Sequence, residues 1–145
     1  MADFVFNIAK GAVAEKVRDG ASVLGMMLLK VSEADATLKD RDDLAAILAN
    51  GSTEADFTNY ARKTGLTATI TVDDTNDRVD VDIPDQTWTS AGGGTNNTLT
   101  DLIVYYQEAA ADASRVPLTL HDFAETTTGS DITAQVNAAG FFRAS

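Results

Sequence analysis

The chain has 145 residues, of which 44% are hydrophobic and 23% are charged, a composition typical of one globular domain. It has no cysteine, which excludes disulfides and cysteine-based zinc sites, and its 22 acidic residues against 11 basic ones give a net charge of −11. Such acidity argues against direct binding to nucleic acid, and no apolar run is long enough for a membrane-spanning helix. The N-terminal MADFVFNIAK also lacks the pattern of a secretion signal. We predict a single domain over residues 1–145 with neither a nucleic-acid nor a membrane partner.

The N-terminal half combines one apolar strand with helical segments. Residues 21–29, ASVLGMMLL, are the longest apolar run and predict a buried strand. Residues 40–51, DRDDLAAILANG, predict a helix, because acidic residues come first, apolar residues then recur on one face, and Asn-Gly supplies a left-handed stop. A second helix with a thin apolar face is predicted over residues 8–19.

From residue 66 the hydrophobic period becomes that of strands. LTATITV and RVDVDI each alternate apolar with polar residues, and DDTND between them is a turn sequence, so residues 66–83 predict an antiparallel hairpin. We expect Leu66, Ala68, Ile70 and Val72 to face the core. The acidic turn departs from the calcium-binding EF-hand pattern at its glycine and at its closing glutamate, so a solvated turn without a metal ion is predicted.

The last third of the chain also reads as β-structure. LIVYYQ at 102–107 is apolar on both faces and predicts a central strand, while VPLTLHDF, DITAQV and the terminal GFFRAS predict further strands. The fold class predicted is mainly β with one or two short helices. Its simplest architecture is an antiparallel β-sandwich, for which a jelly roll is one form.

The stretch PDQTWTSAGGGTNNTLTD contains the single tryptophan followed by three glycines. A phosphate-binding P-loop needs a lysine after its last glycine and a helix beyond, and Gly94 is followed by neither. We therefore interpret the stretch as a connection, with Trp88 anchoring one end of the sandwich and residues 91–98 forming an exposed tip.

No pattern of residues predicts catalysis. His121 is the single histidine and is followed by Asp122, but neighbours on a strand point to opposite faces and no G-x-S-x-G motif is present. The acidic residues show no pair placed for glycoside hydrolysis. We predict that the protein is not an enzyme and has no cofactor and no metal ion.

Large apolar side chains near both ends of the chain suggest interaction surface. Two alternatives stay open for FVF at 4–6 and GFF at 140–142: they finish their own sheet, or they pack on another subunit. The candidate interface residues are Phe4, Phe6, Trp88, Gly92, Gly93, Gly94, Phe141, Phe142 and Arg143.

A series of blocks spanning nearly the whole chain carries a family resemblance. The blocks are VLGMMLLKVSEADATLKDRDDLAAILA, TNYARK, DDTNDRVDVDIPDQTWTSAGGG, LIVYY, VPLTLHDF and SDITAQVNAAGFFRAS. In their order they resemble small virion structural proteins of tailed bacteriophages. The resemblance implies a β-sandwich or jelly-roll module that works by assembly in many symmetric copies, and it transfers no individual functional residue.

This resemblance implies a location in the virion, after assembly in the host bacterial cytoplasm. The leading expectation is a capsid decoration or cement protein that binds the major capsid protein as a homo-oligomer, with a trimer as the expected form. The close alternative is an adaptor of the tail, neck or fibre. More distant alternatives are a lytic hydrolase and a carbohydrate-binding module, which would use Trp88, Tyr105 and Tyr106 for stacking on sugars.

Overall fold

The computed structural model describes residues 3–6 and 24–144 of the chain. The helical elements are α1 Asp35–Leu38, α2 Leu44–Ala49 and a 3-10 turn at Asp112–Ser114. The strands are β1 Phe4–Val5, β2 Leu24–Val31, β3 Thr53–Glu54, β4 Lys63–Leu66, β5 Thr69–Asp73, β6 Arg78–Asp82, β7 Gln86–Trp88, β8 Asp101–Gln107, β9 Arg115–Asp122, β10 Ile132–Ala134 and β11 Phe142–Ala144.

A six-stranded antiparallel sheet, called the main sheet below, organises the core. Its order is β1-β9-β8-β2-β3. β4 pairs with the same side of β2 as β3 does, but at the other end of β2. The inner strands β2 and β8 are buried on both faces over Leu24–Leu29 and Asp101–Tyr105. The predicted buried strand within residues 21–29 and the predicted central strand at 102–107 are confirmed for the described residues, because only strands covered on both sides can be apolar at successive positions.

Two smaller antiparallel sheets complete the structure. Strands β11, β6 and β5 form a three-stranded sheet in that order, called the outer sheet below, and β10 pairs with β7. The predicted fold class, mainly β with short helices and antiparallel sheets in a sandwich-like arrangement, is confirmed.

The predicted helix over residues 40–51 is present but shorter. Helix α2 begins at Leu44 because Asp43 is its N-cap, whose carboxylate accepts the Ala46 N–H at 2.7 Å. The acidic residues therefore precede the helix and do not form its first turn. At the other end Gly51 has a φ of +111°, the left-handed conformation expected of the stop. The helix predicted over residues 8–19 lies outside the described residues.

The predicted hairpin is confirmed in its pairing, but its first strand is not covered by the core. β5 and β6 pair antiparallel, with Ile70 opposite Val81. However, Ile70 is 43% and Val72 is 64% exposed, so the prediction that they are core residues is wrong. Ile70 shares a sheet face with the buried Val81, so the edge position of β5 leaves it exposed and not the direction of its side chain. Leu66 is buried because it belongs to β4 and pairs with Leu24 in the main sheet. The alternation therefore continues across two strands that lie in different sheets, and only the first of them contributes to the core.

Candidate functional site

Trp88, at the end of β7, is an interior residue. Its side chain is 2% exposed, and its indole N–H donates to the backbone oxygen of Ala61 at 2.8 Å. The Lys63 ammonium lies 5.1 Å from the centre of the Trp88 ring. The predicted anchoring role is confirmed by this burial. The same burial is a correction to Trp88 as an interface residue, because a side chain enclosed by its own domain offers no surface to a partner.

The glycine-rich loop is held at its base by neighbouring backbone. The Gly92 N–H donates to the Thr58 oxygen at 2.9 Å, and the Gly129 N–H donates to the Ala91 oxygen at 2.7 Å. Gly92 and Gly93 have φ values of +94° and +93°, which residues other than glycine rarely adopt. These bonds fix the path of the loop between two other segments of the domain.

The exposed tip is shorter than the predicted 91–98. Ala91, Gly92 and Asn97 are buried, and the Asn97 carboxamide oxygen accepts the Asp56 N–H at 2.8 Å. Gly93 and Gly94 are exposed, together with the two residues that follow them. Of the three glycines assigned to the interface, Gly92 is therefore corrected to an interior position, and Gly93 and Gly94 keep an accessible surface.

The N-terminal aromatic residues complete the main sheet. Phe4 lies opposite Leu120 in the β1–β9 pair, and the Phe6 N–H donates to the Leu118 oxygen at 3.2 Å. Phe6 is fully buried, with its ring 5.2 Å from that of Phe4 in an edge-to-face arrangement. Phe6 is therefore core, which corrects its assignment to an interface, while Phe4 stays half-buried.

The C-terminal aromatic residues complete the outer sheet. The Phe141 N–H donates to the Val81 oxygen at 3.0 Å, and Phe142 lies opposite Val81 in the β11–β6 pair. Phe141 and Phe142 are half-buried, and the exposed Arg143 donates from Nε to the Asp80 carboxylate at 2.5 Å. Of the two alternatives left open by the sequence, the structure has both segments finishing sheets of their own domain. Contact of Phe4, Phe141, Phe142 and Arg143 with a partner stays a prediction.

His121 is held between two groups that the sequence patterns did not connect. Its Nε2 lies 2.9 Å from the Thr119 hydroxyl, and its Nδ1 lies 3.4 Å from one oxygen of Asp3. The other Asp3 oxygen accepts the N–H of Asp122 at 3.0 Å. Asp3 reaches this position because β1 pairs with β9. The only sequence signal for it is the strand character of FVF, which does not name its partner strand.

The surroundings of His121 limit which side-chain groups a bound molecule could contact. His121 lines a cavity of about 260 Å³ whose apolar wall includes Met26, Val104 and Ala134. Thr119 is 2% exposed and does not line this cavity, so a molecule inside would meet the imidazole and not the hydroxyl. The series of carboxylate, imidazole and hydroxyl therefore orients the ring and does not present a nucleophile to a substrate.

A network of charged side chains joins β3 to the 3-10 turn. The Arg62 guanidinium donates two bonds to Glu54, at 2.7 and 2.6 Å, and two to Asp112, at 2.5 and 3.2 Å. Arg115 donates to the same Asp112 oxygen at 2.6 Å. Hydrogen bonds from Arg62 hold the pKa of Asp112 below its usual range, and the hydrogen bonds to Glu54 raise the pKa of Arg62. Burial raises the pKa of Tyr60, whose hydroxyl donates to Glu54 at 2.8 Å. Each charge in this network has a partner within the domain, which is the pattern of a structural network.

Among the residues that the structure describes, Asp101 is a buried carboxylate without a charged partner. Asp101, at the start of β8, is fully buried and accepts a hydrogen bond from the Ser32 hydroxyl. Ser32 also lies 3.0 Å from the Thr100 hydroxyl, and the Thr100 N–H donates to the Leu29 oxygen at 2.9 Å. These bonds join the start of β8 to the end of β2, so we assign Asp101 a structural role at this corner of the main sheet.

The outer sheet exposes large apolar side chains, whereas most of those in the rest of the described domain are buried. Among the described residues, the large exposed hydrophobic side chains are Val31, Ile70 and Val72, and two of the three lie on β5. β5 is the last strand of the outer sheet, so one of its two sides has no hydrogen-bonding strand in the part of the chain that the structure describes. This outward side of Thr69–Asp73 is called the β5 edge below.

The turn beside the β5 edge is ordered by its own residues. The Asp73 carboxylate accepts the N–H of Thr75 and of Asn76, each at 3.2 Å, and the Asn76 side-chain amide at 2.8 Å. These bonds hold the pKa of Asp73 below its usual range. Over residues 3–6 and 24–144, no group of three or more His, Asp or Glu side chains is arranged to hold a metal ion.

Comparisons of the chain with protein-family models, with curated proteins and with solved structures give no match. Within the described residues, no helix has the length and apolar character needed to cross a membrane. Function is therefore inferred from the chain's own residues and contacts.

Proposed function

We propose that the protein is a structural component of a tailed-bacteriophage particle, specifically a decoration protein that binds the lattice of the major capsid protein. The observation that carries the assembly role is the β5 edge, where Ile70 and Val72 are 43% and 64% exposed on a strand with a free side. Free strands expose unpaired backbone donors and acceptors, and monomeric proteins usually protect them with lysine, proline or a bulge. The sequence TITVD of β5 has no lysine and no proline, and its pairing with β6 has no bulge. Its one charged residue, Asp73, lies at the end of the strand.

The resemblance to phage virion proteins supports the particle as the setting. The net charge of −11 suits a protein that binds basic surface on a protein shell and avoids packaged DNA. Assembly in many copies also explains how weak single contacts suffice, because many of them act together on one particle. An adaptor of the tail, neck or fibre would use the same surface and is the second proposal.

Burial of the aromatic side chains disfavours a carbohydrate-binding module. Of the three side chains expected to stack on sugars, Trp88 is 2% and Tyr105 is 0% exposed. Tyr106 is half-buried, so this group cannot form an aromatic platform. A lytic hydrolase would need a substrate to reach a nucleophile, and the buried hydroxyl of Thr119 does not meet that need.

Quantitative mass spectrometry of purified particles tests the proposal. We expect a copy number near that of the major shell subunit, or a simple fraction of it. A small fixed number per particle would favour the adaptor of the tail, neck or fibre. Absence from purified particles would contradict both proposals and would reopen an enzymatic role.

A further inference from the structure

We propose that the β5 edge binds the β5 edge of a second copy of this chain, antiparallel and about a two-fold axis at Thr71. Two outer sheets would then join into one sheet that continues across both copies. The inference names a partner and a geometry for the surface that carries the proposed function, and it rests on that function for its biological setting. It also replaces the expected trimer, since an isologous strand pair closes as a dimer.

The backbone of β5 is oriented for this pairing. The Phe141 N–H donates to the Val81 oxygen at 3.0 Å, so the polar groups of Val81 point toward β11 and away from β5. In an antiparallel ladder, the backbone N–H and C=O groups of two opposite residues either point toward each other's strand or point away from it. Ile70 lies opposite Val81, and Val72 lies two residues further along the same strand. The backbone N–H and C=O groups of Ile70 and Val72 therefore point out of the β5 edge.

The β5 edge is complementary to the same edge of a second copy. A two-fold axis at Thr71 places Ile70 of one copy opposite Val72 of the other, and these are the residues whose backbone groups point outward. Each of the two resulting pairs exchanges two hydrogen bonds, with the strands about 4.8 Å apart. Because Ile70 and Val72 lie on one face of β5, the four exposed side chains of the two copies meet on one face of the joined sheet.

The local charges at this strand are compatible with a second copy. Asp73 is the only charged residue of β5, and it already lies 3.1 Å from the Arg78 guanidinium of its own chain. In the two-fold register Asp73 faces Thr69 of the other copy, so no like charges oppose each other across the junction. The net charge of −11 acts at longer range and is screened beyond about 8 Å at physiological ionic strength.

The length of the strand also selects β5 among the free edges. At the edges of the main sheet, β1 and β3 are two residues long and β4 is four. The edge strands β7, β10 and β11 of the smaller sheets have three residues each. β5 has five residues, all but Asp73 exposed. Of the described edge strands, β5 therefore offers the longest run for pairing and two of the three exposed large apolar side chains.

Sedimentation equilibrium of the isolated full chain over a roughly hundredfold concentration range tests the pairing. We expect a monomer–dimer equilibrium. Val72→Pro removes one outward N–H without touching the β5–β6 ladder, and Val72→Lys replaces apolar surface by charge; each should weaken the dimer at least about tenfold. Val31→Lys, at an exposed valine of β2 that is 48% exposed, is the matched control and should leave the dissociation constant within about twofold.

Three results would overturn the pairing: a wild-type monomer throughout, a trimer, or a dimer that Val72→Pro and Val72→Lys leave intact. Near-ultraviolet circular dichroism identifies any variant that has lost its fold, and in that case the other variant decides. If the wild type is a monomer but Val72→Lys alone lowers the copy number in particles, the β5 edge binds another virion protein and the proposed function stands. If the chain dimerises but is absent from particles, the pairing stands and the proposed function fails.

Discussion

The main sheet and the outer sheet use similar strand sequences for opposite purposes. In the main sheet, β2 and β8 are covered on both faces, so that Met27 and Ile103 lie opposite each other with no exposed surface. In the outer sheet, β5 carries Ile70 and Val72 into solvent, while its neighbour Val81 on β6 is buried. Apolar residues on a strand therefore predict burial only when both the strand's partners and its covering layer lie within the domain.

This difference has a consequence for stability and for function. Burial of apolar surface in the main sheet supplies free energy to the fold, whereas the exposed side chains of β5 contribute little until a second chain covers them. Regions with few buried contacts are also the regions that are free to take part in binding. We therefore expect mutations in the covered region to change folding and mutations at the β5 edge to change association.

Replacement of Trp88 should have the largest effect on the fold. Trp88→Ala removes a side chain that is 2% exposed and the indole hydrogen bond to Ala61, so we expect the free energy of unfolding to fall by about 3–5 kcal/mol. Urea unfolding followed by circular dichroism measures the loss. An unchanged midpoint would contradict the burial of Trp88. In the wild type, tryptophan emission should lie at shorter wavelength than in bulk water.

Gly25→Ala should destabilise the main sheet by about 1–3 kcal/mol. A Cβ atom at Gly25 would overlap the end of the Tyr105 ring and lie 2.7 Å from the Lys63 backbone oxygen, which cannot move freely within a paired strand. Thermal unfolding monitored by calorimetry is the measurement. Gly94→Ala is the control, since its Cβ would meet only the Thr58 hydroxyl at 3.1 Å, and it should be nearly neutral. Equal effects of the two substitutions would show that β2 and β8 are less closely packed than described.

Asp112→Asn should cost about 1 kcal/mol at neutral pH, since it removes one carboxylate from between Arg62 and Arg115. The folded-state pKa of Asp112 lies below its ordinary value of 3.8, so the unfolded chain binds the proton more readily. The stabilisation is therefore present above that value and is lost as pH falls through the folded-state pKa. Unfolding free energies measured across the acid range should fall less steeply for the variant. Parallel curves would contradict the role of this carboxylate.

Val72→Thr should have the smallest effect on the monomer. Val72 is 64% exposed, so we expect the free energy of unfolding of the monomer to change by less than about 0.5 kcal/mol. Chemical unfolding at a protein concentration well below the dimer dissociation constant measures the stability of the monomer alone. A loss comparable to that of Gly25→Ala would mean that Val72 packs within its own domain, and the contrast between the two sheets would fail.

Local patterns were sufficient to predict most of the strands. Continuous apolar residues in LIVYY predicted the central position of β8, and the alternation around DDTND predicted the β5–β6 pair. The exposure of β5 could not be predicted, because alternation specifies which residues share a face and not whether that face is covered. The shift from β4 in one sheet to β5 in another occurs within two residues, Thr67 and Ala68, which carry no turn signal.

The candidate site was harder to predict because its residues meet only through long-range pairing. Asp3 reaches His121 across 118 positions, and the base of the glycine loop is held by Thr58 and Gly129. Aromatic residues at the ends of the chain were compatible with both a sheet and an interface, since the same apolar side chains serve either purpose. Their partners, Leu120 for Phe4 and Val81 for Phe142, are set by the topology of the sheets.

Amide hydrogen exchange at Ile70 and Val72 tests the central claim most directly, because their outward N–H groups are the ones that the pairing uses. At protein concentrations below the dimer dissociation constant, both amides should exchange at rates close to those of an unpaired strand. At concentrations that populate the dimer, we predict that both slow at least about tenfold, while amides of β2 and β8 are unchanged. Equal exchange of Ile70 and Val72 at the two concentrations, with the dimer populated, would contradict pairing through β5.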